Sequence, residues 1–81
     1  ANFVKIIFME NKTHCQVLEG SSILFEFSTD SYNDALIISI LNDLIEKRES
    51  FFYSVRVIKG SSIKEYRLNS VDGTLIEKII E

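Results

Sequence analysis

His14 and Cys15 are the only histidine and the only cysteine of the chain, and they are neighbours. A thiol beside an imidazole is the pairing that a nucleophile and its general base require. The spacing defeats it here. Both residues fall in a run, residues 13–19, that reads as a β-strand, and successive side chains of a strand point to opposite faces. Cys15 is expected on the core face as a small hydrophobe, and His14 on the other. One histidine and one cysteine turned apart do not make a metal site, which needs converging ligands. Asp30 and Asp34 sit where a helix begins, and carboxylates there complement the positive end of the helix dipole. Asp43, Glu46 and Glu49, mixed with Lys47 and Arg48, read as a solvated helix face. The two Gly-Ser-Ser runs, at 20–22 and 60–62, lack the long glycine pattern of a phosphate loop and suit hairpin turns instead. The expectation is a non-enzymatic protein with no metal, no cofactor and no small-molecule substrate.

Two other kinds of site are spelled in the chain. Arg56, Lys59, Lys64 and Arg67 form a basic group around Gly60, with Lys47 and Arg48 at the end of the expected helix. Such a group could contact the phosphates of a nucleic acid, although a net charge of −3 and a pI of about 5.1 weigh against a phosphate-backbone binder. Apolar residues that strand alternation turns away from the core form the second kind. They are Phe3, Ile7, Met9, Leu18, Leu24, Phe52, Ile58 and Ile63, with Lys5, Gln16, Glu26, Arg56 and Glu65 among them. Apolar groups rimmed by charge on a sheet face are the pattern of a contact surface. Binding another protein, or a second copy of the chain, through that face is therefore the leading reading. A nucleic-acid accessory role through Arg56, Lys59, Lys64 and Arg67 is the alternative.

The elements that must position these residues follow from periodicity. The 81 residues, 46% hydrophobic and 26% charged, are enough for one globular domain spanning residues 1–81. Residues 3–9, 13–19 and 23–28 read as strands. A two-residue turn at Asn11-Lys12 would set Phe8 opposite Cys15 and Ile6 opposite Val17. A three-residue turn at 20–22 would set Val17 opposite Phe25 and Cys15 opposite Phe27. One face then collects Val4, Ile6, Phe8, Cys15, Val17, Ile23, Phe25 and Phe27. Ser31 and Asp34 have near capping-box spacing, and a helical pattern runs from there to Arg48. Its strongly apolar positions span an arc of about 200°, against roughly 100° for an ordinary surface helix, so more than the sheet should cover it.

Residues 51–59 read as a further strand. Gly60-Ser61 then makes a hairpin that pairs Val57 with Lys64, Ile58 with Ile63 and Arg56 with Glu65. In the tail, Thr74 and Glu77 have capping-box spacing and Leu75, Ile76, Ile79 and Ile80 share a helical face, which predicts a short helix. Asp72-Gly73 is a hairpin signal and keeps a sixth strand as the alternative. The architecture expected is α+β: a five-stranded antiparallel sheet in the order β-β-β-α-β-β-α, with one long helix on one face. Residues 17–23 and 57–63 also echo one another around their Gly-Ser-Ser turns.

The stretch Tyr53-Ser54-Val55-Arg56-Val57 through Glu65-Tyr66-Arg67-Leu68, followed by Asp72-Gly73-Thr74-Leu75-Ile76, resembles the hairpin of PepSY-type domains. It covers the last third of the chain. The strands before the helix depart from that family's layout, so the resemblance implies nothing for the whole. No apolar run is long enough to span a membrane, no signal-peptide pattern opens the chain, and a single cysteine permits no internal disulfide. A cytoplasmic location is the expectation. The lack of proline and the abundance of Ile, Asn, Lys and Ser fit an AT-rich genome of the phage or mobile-element kind.

Overall fold

A computed structural model of the chain describes residues 12–48 and 52–81. Its elements are β1 (Thr13–Glu19), β2 (Ser22–Thr29), α1 (Asp34–Arg48), β3 (Tyr53–Lys59), β4 (Ser62–Leu68) and β5 (Leu75–Ile79). The strands form one antiparallel sheet in the order β2-β1-β3-β4-β5. The α+β class and the antiparallel five-stranded sheet with one long helix are as expected. The membership of the sheet is not. The expected strand at residues 3–9, with Phe3, Ile7 and Met9, lies outside the described residues. Cys15 has Phe27 on one side and Val57 on the other; the expected partners Val4, Ile6 and Phe8 lie outside the described residues.

The fifth strand is β5, where the short C-terminal helix was predicted. Hydrogen bonding in the preceding loop explains the difference. Asn69 N donates to Thr74 O at 2.8 Å and Gly73 N to Asn69 O at 2.9 Å, closing the loop as a hairpin. Gly73 has φ +73°, a left-handed conformation that a residue with a Cβ adopts at a cost. The Thr74 hydroxyl, needed as a helix cap, donates instead to Asp72 Oδ1 at 2.7 Å. Leu75 is thereby delivered opposite Leu68 and Ile79 opposite Lys64.

The two Gly-Ser hairpins share one geometry. Glu19 faces Ser22 and Leu18 faces Ile23, while Lys59 faces Ser62 and Ile58 faces Ile63. Gly20 and Gly60 have φ +61° and +60°, as the first central position of such tight turns demands. The echo stops there, since a helix follows β2 and a strand follows β4. The first turn therefore has two residues, not three. The extra residue is Leu24: the pairing steps from Val17–Phe25 to Leu18–Ile23, which makes Leu24 a β-bulge. The bulge keeps Cys15 against Phe27 and Val17 against Phe25, as expected, but moves Ile23 off the core face and onto the face of Leu18.

Helix α1 begins two residues later than the capping-box spacing implies. Asn33, not Ser31, is the cap: its Oδ1 accepts from Leu36 N at 3.0 Å. The Ser31 hydroxyl is engaged with Asp30 Oδ1 at 3.2 Å. Asp34 stands in the first turn and Lys47 and Arg48 in the last, both matching the dipole. The helix rests on β3 and β4 and seals Ile37 and Leu41 against the sheet. The core is Cys15, Val17, Ile37, Leu41, Tyr53, Val55, Val57 and Leu68. Leu36 is half-buried, as are Ile38, Ile40, Leu44 and Ile45. The broad apolar arc thus lies mostly at the margins of the contact.

Candidate interaction surface

A helix with side chains is roughly 10 Å wide and strands lie about 4.8 Å apart, so one helix covers two to three strands. Placed over β3 and β4, α1 leaves β2 at the uncovered border of the sheet. Phe25 and Phe27, on the helix face of β2, are stacked with ring centroids 6.4 Å apart. Phe27 packs at the margin of the core, while Phe25 is 47% exposed. On the same strand Ile23 is 48% and Leu24 38% exposed. The outer side of β2 pairs with no strand among the described residues. The strand therefore offers a row of backbone donors and acceptors flanked by apolar side chains on both faces.

The strand's one charge is turned inward. Glu26 Oε1 accepts from His14 Nε2 at 2.7 Å and from Gln16 Nε2 at 3.1 Å, both on β1. Those bonds hold the Glu26 carboxyl below its usual range, the His14 contact contributing most. His14 Nδ1 lies 3.0 Å from Ser28 Oγ, a second tie between β1 and β2. His14 thus works as a clasp across the strand pair. Cys15, on the opposite face, is fully buried, and burial pushes its thiol up.

The face away from the helix is less apolar than the sequence implies. Glu26, Gln16, Arg56, Glu65 and Lys78 stand in register across all five strands. Arg56 Nη2 meets Glu65 Oε1 at 3.3 Å, while Arg56 Nε is sealed without a partner. This polar row divides the expected patch. Ile58 and Ile63 pair on one side of it, both half-buried. Leu18 and Ile23 pair on the other. Leu18 is only 2% exposed, outside the main core, so its side chain is not available as the surface contact it was expected to be. Phe52 is 78% exposed, next to the carbonyl that accepts the 2.9 Å bond from Gly20 N. Of the predicted contact residues, then, Leu24 and Phe52 are well exposed, Ile58 and Ile63 partly so, and Phe3, Ile7 and Met9 are outside the described residues. Sequence reasoning missed Phe25 and Ile23, both assigned to the core; the width of one helix against five strands was the signal for Phe25.

The basic group is divided as well. Arg56 and Arg67 lie on the face away from the helix, and Lys59 and Lys64 on the helix face. Lys64 Nζ is 3.1 Å from Glu77 Oε1, which also accepts from Tyr66 Oη at 2.9 Å. Glu77 is held below the usual carboxylate range by those bonds, Tyr66 first. Lys59 and Lys64 flank an open depression of about 190 Å³ walled by Thr13, Tyr32, Val57, Ser62 and Tyr66. No group of three or more His, Cys, Asp or Glu gathers in metal-binding proximity among the described residues. No helix among them is long and apolar enough to cross a membrane.

The described residues form an α+β domain, one antiparallel sheet with a helix packed on one face. Comparison of the chain with family models, curated proteins and solved structures returns no match in any of the three.

Proposed function

We propose that this chain is a non-enzymatic protein-binding module, and that β2 is where it binds. The observation that carries the reading is the border position of β2, where Ile23, Leu24 and Phe25 are each more than a third exposed beside a strand edge that pairs with no strand among the described residues. Edge strands of soluble domains are ordinarily blunted by outward charge, proline or brevity. β2 has eight residues, no proline, and one charge that is clasped by its own neighbour. Addition of a partner's extended segment to such an edge supplies main-chain hydrogen bonds for affinity and side-chain contacts for selectivity. Phe52, and the Ile58–Ile63 pair beyond the polar row, widen the apolar area around it.

The test is partner retention by variants. Phe25→Lys places a charge on the exposed border and should remove the proteins that co-purify with the wild type from its native host. Ile79→Lys, on the opposite edge strand, should leave them in place. Equal retention by both variants, each folded by circular dichroism, would contradict the reading.

A further inference from the structure

We infer that the depression between Tyr32 and the Gly60 hairpin binds a small aromatic carboxylate, with its ring against Val57 and the two tyrosine rings and its carboxylate on Lys59. The inference goes beyond the β2 reading and stands independently of it.

Strand register places the site. Thr13, Val57, Lys59, Ser62, Lys64 and Tyr66 come from three adjacent strands, β1, β3 and β4, and share the helix face. β2 ends at Thr29, opposite Thr13, so the chain crosses to α1 at this end of the sheet. Tyr32 lies in that crossing, just before the helix, and forms the remaining wall. The helix is sealed onto the sheet at Ile37 and Leu41, further along, which leaves the hairpin end of β3 and β4 open beside Tyr32. Neither tyrosine brings a spare hydroxyl. Tyr66 Oη donates to Glu77 Oε1 at 2.9 Å, and Tyr32 Oη is shut off from solvent without a partner. What both present to the depression is ring, and Val57 adds its methyls from the sheet.

Size and charge choose the ligand. An apolar cavity of about 150 Å³ takes benzene. The depression, at about 190 Å³, takes one ring with a small polar head. Pockets for drug-sized bodies run to roughly 300 Å³ and more. Lys59 forms no ion pair among the described residues. Lys64 Nζ is 3.1 Å from Glu77 Oε1, so its charge is already met. Of the two ammonium groups at the rim, one is left for an anion, which suits a single carboxylate better than a phosphate dianion. Burial above all, with a smaller push from Asp34, holds the Tyr32 phenol up. The Asp34 carboxylate is thus near that wall and repels an anion from it, which directs the ligand's carboxylate to Lys59.

An amide chemical-shift titration of the full chain at neutral pH, with benzoate as the probe, is the experiment. Benzoate should move the amides of Thr13, Tyr32, Val57 and Lys59 along saturating curves, with a Kd of about a millimolar for so open a site. Acetate, which keeps the charge and lacks the ring, should bind at least about tenfold more weakly. Benzyl alcohol, which keeps the ring and lacks the charge, should bind about threefold more weakly or worse, and Lys59→Gln should weaken benzoate by as much. Lys78→Gln, an equal change of charge on the other face, should leave benzoate binding unchanged. Should Lys59→Gln not fold, acetate and benzyl alcohol on the wild type decide. Shifts that do not saturate, or that centre away from the depression, overturn the inference. So does acetate or benzyl alcohol binding as tightly as benzoate, or a folded Lys59→Gln binding benzoate as tightly as the wild type.

Discussion

Leu41→Ala tests how the helix sits on the sheet. Leu41 is fully buried and, with Ile37 one turn earlier, forms the sealed contact of α1 with the sheet. Truncation removes the transfer energy of the lost carbons and leaves a cavity, which together cost about 2–5 kcal/mol for a buried leucine. The helix packs on one side only and can settle partway into the gap, so a value near 3 kcal/mol is expected. A domain of this length has a total stability of roughly 4–12 kcal/mol. The loss is therefore a large fraction of the whole, and the melting temperature should fall by roughly 12–24 °C. Ile40→Ala is the matched control. Ile40 belongs to the same apolar arc but is half-buried, so its truncation should cost about 1 kcal/mol. Urea unfolding followed by circular dichroism measures both. Equal losses at Leu41 and Ile40 would refute the placement of the helix over β3 and β4, and would restore the broad contact arc that the sequence implies.

Further predictions concern the caps, the turns and the titrating groups. Asn33→Ala should destabilise the fold by about 1 kcal/mol, while Ser31→Ala costs a few tenths, as read from urea midpoints. Gly60→Ala forces a side chain onto φ +60° and should lower stability by about 1 kcal/mol although open space surrounds it. Glu26 and Glu77 both have folded carboxyls below the usual range, so their contribution is present above the ordinary carboxylate pKa near 4.5 and is lost as pH falls through the depressed folded values. Glu26→Gln should accordingly flatten the fall in urea midpoint between pH 5 and lower pH, and an unchanged slope would count against the His14–Glu26 clasp. The Cys15 thiol should resist alkylation in the native protein and react once urea unfolds it, because it is buried and its ionisation is disfavoured.

Much of the fold was legible because it depends on short-range signals. Alternation and the Gly-Ser turns placed Thr13–Glu19, Tyr53–Lys59 and Ser62–Leu68, and the Gly60-Ser61 turn set Arg56 on Glu65; Cys15 met Phe27 as expected because the bulge at Leu24 supplies the extra residue that the expectation gave to the turn. The errors share a cause: each needed information from outside the segment. Leu75–Ile79 has equally good helical and strand patterns, and only the bond of Thr74 to Asp72, with Gly73 turned left-handed, decides for the strand. Ile23 left the core face because the extra residue of the first hairpin sits at Leu24, which no turn sequence announces. Long-range order across the sheet was not readable. Nothing local shows that β1 and β3 are neighbours, which is the pairing that aligns Gln16 with Arg56 and builds the polar row. The expected apolar face broke in two for that reason, and the exposed apolar border at Phe25 emerged only once the helix was seen to be narrower than the sheet.

Residue-resolved amide exchange along β2 tests the open edge most directly. The account predicts that the outward-facing amides between Phe25 and Thr29 exchange quickly, in contrast to those of β1, which is paired on both sides. Slow exchange of those amides would mean that the edge is covered, and would contradict it.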